Sequence, residues 1–294
     1  MVNALTFDVE DWRQLVRWKM TGVRLPPAAQ TLVETRWILD ALARHGVSAT
    51  FFVLDNVAET FPGLVREIRD AGHEVGSHGL SHELVYRQTP ELFRQETRAA
   101  RRRLEDLTGE PVLGYRAAEF SVTRRSWWAL EILAEEGFTY DSSVYPIAGR
   151  RYGVPDFPLV PTRMAEAGGL LEAPLTVAEW AGRRWPAAGG GYFRLFPYAW
   201  THAAITGANR AGRPAVAYFH PYEFAGPRLK VALDLPLRRR VALLRYSVVH
   251  NLFRARVRAR FHQMLTDFCF APLRDVLGLT HACEHAEPRQ HLLG

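Results

Sequence analysis

The stretch Ala4-Leu5-Thr6-Phe7-Asp8-Val9-Glu10-Asp11-Trp12 decides the fold: a short apolar run passes directly into three crowded carboxylates. A strand anchored in a sheet and ending in acidic residues is the pattern of a parallel α/β barrel, whose active sites are built at the carboxyl ends of its strands. An exposed acidic turn would not need the apolar lead. We therefore read Ala4–Asp8 as a first strand.

Working outward, Thr31–His45 sets Leu32, Val33, Trp37, Ile38 and Leu42 at helical spacing with Gly46 as its stop. Ser48–Leu54 reads as a buried strand, Phe61–Ala71 as a helix, and His73–Gly76 as the start of a third strand. Pro90–Leu107 is a long amphipathic helix whose solvated side carries Arg101, Arg102, Arg103 and Glu105. Strand Val112–Arg116, helix Arg124–Glu136 and strand Phe138–Asp141 follow. This alternation predicts βα units on a parallel sheet. From Pro146 to Arg194 the rhythm breaks into Gly-, Pro- and Arg-rich sequence, including Gly189, Gly190 and Gly191, which predicts loops and short hairpins beside a binding site. Pro197–Ala211 returns as a helix and Ala215–Phe219 as a buried strand. The basic remainder predicts a long helix or helix pair through Val241–Phe268 and a closing strand near Phe268–Ala271. We expect residues 1–225 to form a catalytic domain and residues 226–294 a basic, mainly helical extension packed on the barrel.

The chain has 294 residues, 48% of them hydrophobic, and a formal net charge of +6. That charge favours anionic partners. The late arginines, among them Arg254, Arg256, Arg258 and Arg260, fall on several sides of their helix and match no nucleic-acid-binding module, so no nucleic-acid partner is expected. Cys269 and Cys283 are not spaced as a metal-binding or disulfide framework. The opening residues show no leader pattern and no apolar run reaches membrane-spanning length, so the expected setting is cytoplasmic, extending to the inner face of the membrane.

Chemistry concentrates at a few places. Ser77-His78-Gly79-Leu80-Ser81-His82 holds two histidines at i and i+4, which on one helical face would aim both imidazoles at one cation. Gly79 stands where a zincin would carry its general-base Glu. Tyr218-Phe219-His220-Pro221-Tyr222 ends a late apolar strand in a histidine, Gly114-Tyr115-Arg116 ends one in an arginine, and Phe138-Thr139-Tyr140-Asp141 ends one in a carboxylate. Five strand ends with ionisable residues would converge on one mouth of a parallel barrel.

This ordered set resembles the polysaccharide deacetylases of carbohydrate esterase family 4, the NodB-homology domain, over residues 5 to 221. Asp8-Val-Glu-Asp-Trp12, Tyr115-Arg-Ala-Ala-Glu-Phe-Ser121, Tyr140-Asp-Ser-Ser-Val-Tyr-Pro146, Gly189-Gly-Gly-Tyr-Phe-Arg194 and Phe219-His-Pro-Tyr-Glu-Phe224 resemble in particular the subfamily found with exopolysaccharide and exosortase loci. The resemblance implies a deformed (β/α) barrel of about seven strands. It implies Asp8 as general base, Arg116 holding Asp8 and His220 as general acid; Asp141 resembles only loosely the segment that orients that acid, the alternative being a turn cap with Ser142 and Ser143. It further implies that His78 and His82 hold a divalent metal, Zn²⁺ first and Co²⁺, Ni²⁺ or Mn²⁺ after it, together with a carboxylate. The family's metal carboxylate directly follows the base; Val9 stands there instead, which leaves Glu10, on the strand face of Asp8, and Asp11, presented by a turn.

Trp12, Glu119, Tyr145, Tyr192, Arg194 and Tyr222 are the candidate substrate-binding residues, flat apolar faces with polar rims suiting sugar rings. The expected activity is hydrolysis of the N-acetyl group of N-acetylhexosamine units in a polysaccharide or its lipid-linked or nucleotide-linked precursor, with peripheral contact to an anionic membrane or lipid-diphosphate carrier. The competing readings are a hydrolase of another amide, such as a ureide or cyclic imide, and a catalytically silent glycan-binding protein. Binding alone would not require a base, an acid and a metal together.

Overall fold

Strand β1 (Val2–Val9) is buried along all but its first residue, and the computed structural model is arranged around it, describing residues 1–149, 151–224, 226 and 228–279. The end of the expected extension, with Cys283, lies outside the described residues. Ten further strands follow: β2 (Thr50–Val53), β3 (Glu74–Ser77), β4 (Gly114–Tyr115), β5 (Tyr140–Asp141), β6 (Thr162–Met164), β7 (Leu170–Glu172), β8 (Val177–Trp180), β9 (Arg183–Pro186), β10 (Val216–Phe219) and β11 (Cys269–Ala271). The main sheet runs β10-β1-β2-β3-β4-β5-β7 with every neighbour parallel, and β6 adds antiparallel to β7 at the edge. β11 pairs in parallel with the start of β1.

The sheet curls until its ends nearly meet. Thr176 N–H donates to the Val216 carbonyl at 3.3 Å, Val216 N–H donates to Thr176 Oγ1 at 2.7 Å, and Tyr218 N–H donates to the Ala188 carbonyl at 3.0 Å. This is the deformed barrel the sequence predicts. Helices Gln30–His45, Pro62–Asp70, Pro90–Thr108 and Trp128–Glu135 lie between successive strands, and the first ends at Gly46 in the left-handed conformation, as its position predicted. Between β5 and β10 the structure differs from the reading: β7 is a short parallel barrel strand inside the stretch expected to hold only loops and hairpins. Its three residues, entered by an antiparallel partner rather than a helix, leave no βα rhythm to read.

Because parallel strands are covered on both faces, their side chains divide between two apolar layers. Phe7, Phe51 and Phe219 face the helices, where Phe7 stacks on Phe51 at 4.8 Å and all three join Phe224 and Phe261. Thr6, Asp8, Phe52 and Tyr140 alternate to the other side. Room for them comes from glycine: a Cβ on Gly114 would stand 2.1 Å from the Tyr140 ring, and one on Gly76 would stand 2.6 Å from the Phe52 ring. Among the described residues no helix is long and apolar enough to cross a membrane.

Candidate active site and metal centre

Asp8 and Glu10 flank the end of β1 on one face, as the strand period predicts. Arg116, at the end of β4, has no solvent exposure and sends Nη1 to Asp8 Oδ1 at 2.9 Å and to Thr6 Oγ1 at 2.6 Å. Its Nε donates to the Ser142 carbonyl and its Nη2 to Ser142 Oγ, both at 2.9 Å, so all three guanidinium nitrogens are engaged. The guanidinium also lies over the Phe52 ring, 4.3 Å from its centre. A buried carboxylate so held is paired with a buried cation and fixed in direction.

His78 and His82 do not lie on a helix; this corrects the i, i+4 reading. Residues 78–82 form a loop after β3, turned by Gly79 at φ +78° and by His82 itself at φ +55°. Their convergence therefore comes from a strained turn rather than helical pitch. Nε2 of His82 stands 2.7 Å and Nε2 of His78 3.4 Å from Glu10 Oε2, and the three ligand atoms lie within 4.8 Å of one another. Nδ1 of His78 meets the Arg116 carbonyl at 2.9 Å, which fixes the proton on Nδ1 and leaves the Nε2 lone pair toward Glu10. Burial by itself would raise the Glu10 pKa, but His82, His78 and His220 opposite it outweigh that and hold the carboxyl well below its ordinary value. Oε2 of Glu10 and Nδ1 of His82 are buried without a hydrogen-bond partner among the described residues. A buried carboxylate and two imidazoles turned to one point fit a divalent cation of borderline softness.

Asp11 is not part of this cluster, which corrects its place among the metal candidates. Its Oδ1 accepts from Arg13 N–H at 2.8 Å and its Oδ2 from Ala28 N–H at 2.7 Å, so it caps helix Trp12–Thr21 and ties down the following loop. Asp141 is also elsewhere: buried, it accepts from Ser143 Oγ at 2.6 Å and Ser143 N–H at 3.2 Å, the turn-capping arrangement. It has no contact with His220.

What orients His220 is Glu223, which the sequence reading quoted only within its motif. Oε2 of Glu223 lies 3.3 Å from His220 Nδ1 and accepts the His220 backbone N–H at 3.1 Å, while Arg194 Nη1 holds Oε1 at 3.1 Å. The signal was present: a carboxylate three residues after the histidine, across the short turn Pro221–Phe224, reaches back as in a helix N-terminal cap. Burial lowers the His220 pKa, but the Glu223 hydrogen bond and charge, with Glu10 and Asp8 beyond, raise it to about 9. Nε2 of His220 stands 3.9 Å from both Asp8 Oδ2 and Glu10 Oε1. Asp8, His220 and a metal-type donor set thus share one opening.

That opening is a cleft of about 340 Å³ lined by Asp8, Glu10, His78, His82 and His220 and walled by Trp12, Tyr192, Tyr222 and Glu119. Tyr222 stacks on His220 at 4.9 Å, and Trp12 on Tyr246 at 5.9 Å. Glu119, in the left-handed region at φ +50°, is paired with Lys19 and with Arg151 at the rim. Two candidates are placed differently. Tyr145 is fully buried, its ring packed against those of Phe120, Tyr152 and Tyr218. Arg194 borders the cleft, but its guanidinium is committed to Glu223 and to the Val249 carbonyl. A larger groove, about 950 Å³, adjoins the cleft through Arg151, Tyr152 and Tyr192 and runs along the β8–β9 hairpin.

Residues 4–140 match the model of the polysaccharide deacetylase family, and residues 142–278 match that of a domain of unknown function, DUF3473. The chain is 33% identical over 112 residues to a peptidoglycan deacetylase of Helicobacter pylori, a stretch covering 36% of each chain. It is 29% identical over 97 residues to a chitooligosaccharide deacetylase of Bradyrhizobium, covering 33% of this chain and 42% of that one. The chain thus spans well under half the length of these curated relatives. A crystal structure named as a polysaccharide deacetylase of Mycobacterium smegmatis superposes with a TM-score of 0.62 at 22% identity, covering 96% of this chain and 90% of that one. That of Puue allantoinase superposes at 0.57 and 15% identity, covering 97% and 91%. Both likenesses concern the fold.

Proposed function

Taking as premise that residues 4–140 of this chain are a polysaccharide deacetylase domain, we propose that it hydrolyses the N-acetyl group of N-acetylhexosamine units in a glycan or a glycan precursor. The observation that carries this reading is the meeting of the Asp8–Arg116 pair, the Glu10–His78–His82 cluster and the His220–Glu223 pair in one cleft. Zn²⁺ is the cation we assign to the cluster, since one carboxylate and two imidazoles are a catalytic zinc donor set with a position left open. Held by Glu10, His78 and His82, such a cation would supply Lewis acidity toward the acetyl carbonyl and toward water near neutral pH.

The side chains supply the rest. Asp8, held in place by Arg116, accepts the proton of the attacking water. The tetrahedral adduct then breaks at its C–N bond, and His220, protonated at Nε2 because Glu223 occupies Nδ1, gives its proton to the departing sugar amine. Acetate and the free amine are the products. Trp12 and Tyr222 supply apolar surface for the sugar ring.

The test is acetate release from N-acetylglucosamine oligomers and from lipid-diphosphate-linked N-acetylhexosamine, by wild type, chelator-treated and His78→Ala protein. Acetate that disappears with chelator and returns with Zn²⁺ supports the reading. No acetate from any N-acetylated sugar, with metal bound, transfers the assignment to a different amide.

A further inference from the structure

Helix Leu237–Asn251 buries none of its residues fully, although it closes one side of the cleft. Leu243 and Tyr246 pack toward Trp12 and Val16, and His250 lies 5.6 Å from the Trp12 ring. At 3.6 residues per turn, Leu237, Val241, Leu244 and Val248 fall within an arc of about 60° on the opposite side. That stripe faces solvent, with Leu237 77% and Leu244 63% exposed, and Leu252 and Phe253 extend it past the helix end. Arg238 and Arg245 border it on one side and Arg240 on the other, and the 15 residues include no Asp or Glu. Arg238 and Arg245 have no partner among the described residues, whereas Arg239, on the cleft side, donates to the Met20 carbonyl.

We propose that this helix is a membrane-surface element that sets the mouth of the cleft against an anionic phospholipid bilayer. An exposed apolar stripe bordered by arginines, of which Arg240 is paired with Asp234, matches the layering of such a surface, with acyl chains beneath phosphates. A protein partner would have to bury the apolar stripe and at the same time supply anions along the Arg238–Arg245 border. The cleft rim continues the same character: Val249 and Leu195 border the opening, and Phe196 leads to exposed Trp185 and Trp180. Indole rings favour the headgroup depth of a bilayer. The surface is independent of the reaction assigned above and is tested without turnover.

Flotation with phosphatidylcholine vesicles and with phosphatidylcholine–phosphatidylglycerol vesicles measures it. The protein binds the anionic vesicles and is released by salt. Leu244→Glu/Val248→Glu weakens binding at least about tenfold, and Arg238→Ala and Arg245→Ala about fivefold each. These variants keep the wild-type melting temperature, which separates lost docking from lost folding. Equal binding to both vesicle types, or variants that float like wild type, overturns the proposal. A lipid-free dimer that Leu244→Glu dissociates also overturns it and assigns the face to a second copy.

Discussion

Glu223 grips His220 at two atoms, accepting the backbone N–H at 3.1 Å and lying 3.3 Å from Nδ1, while Arg194 holds its other oxygen. The raised His220 pKa, about 9, keeps the imidazolium dominant at neutral pH. In the proposed reaction the proton on His220 is the one donated, so activity falls as pH rises through the His220 value. A cation beside Glu10 lowers that value, so comparison must be made at equal metal loading. Glu223→Gln removes the charge that raises it. The alkaline limb of the kcat/KM profile then shifts toward the ordinary histidine range, and kcat falls by about tenfold to a hundredfold. An unmoved limb would show that Glu223 has no part in setting the acid.

Glu10 and Asp11 adjoin in sequence but separate in function. Glu10→Gln weakens binding of Zn²⁺ by more than about a hundredfold, measured by calorimetric titration, because a buried ligand is lost. Asp11→Ala keeps the metal but loses the cap of helix Trp12–Thr21, costing about 1 kcal/mol in denaturant unfolding. The reverse pattern would return Asp11 to the metal site.

The Arg116–Asp8 pair, both partners buried, predicts opposite costs for its two members. Arg116→Met leaves a buried carboxylate without its cation and destabilises by about 3–5 kcal/mol. Asp8→Asn retains a hydrogen-bond acceptor for the guanidinium. It should keep most of the stability but lose about two to four orders of magnitude in kcat.

His73, away from the cleft, makes the fold acid-sensitive. Burial depresses its pKa from 6.5 to about 4, and Nδ1 accepts the Ala49 N–H at 3.3 Å. The neutral ring is therefore the folded form. Its contribution is complete above pH 6.5 and is lost as pH falls toward 4, by about 3 kcal/mol in all. His73→Asn keeps an acceptor without a titration, so its stability should decline less over that interval. Parallel wild-type and variant curves would remove His73 from the account.

Periodicity made the barrel legible because each strand from β1 to β5 is followed or preceded by a helix with its own apolar face. The same logic failed at β7, three residues long and entered from an antiparallel strand. Asp8, Arg116 and His220 were readable as strand ends. The Glu10 assignment needed the backbone path, since only the turn at Asp11 shows that its oxygens are taken by Arg13 and Ala28. Likewise His78 and His82 were rightly paired for a wrong reason, as helical spacing and a left-handed loop can bring the same two rings together. Tyr145 and Arg194 were misplaced because composition does not tell an aromatic or a guanidinium facing a cleft from one sealed beneath it.

The pairing of β1 with β10 and β11 has a consequence for how this site comes into being. Thr6 and the Ala217 carbonyl, joined by a hydrogen bond, are separated by 211 residues of chain. A ribosome that has released everything up to β7 has delivered Asp8, Glu10, His78 and His82 but not His220. The cleft is thus incomplete until nearly the whole polypeptide has emerged, and a proteolytic nick that frees the β10 segment would remove His220 while leaving the Glu10–His78–His82 cluster in place.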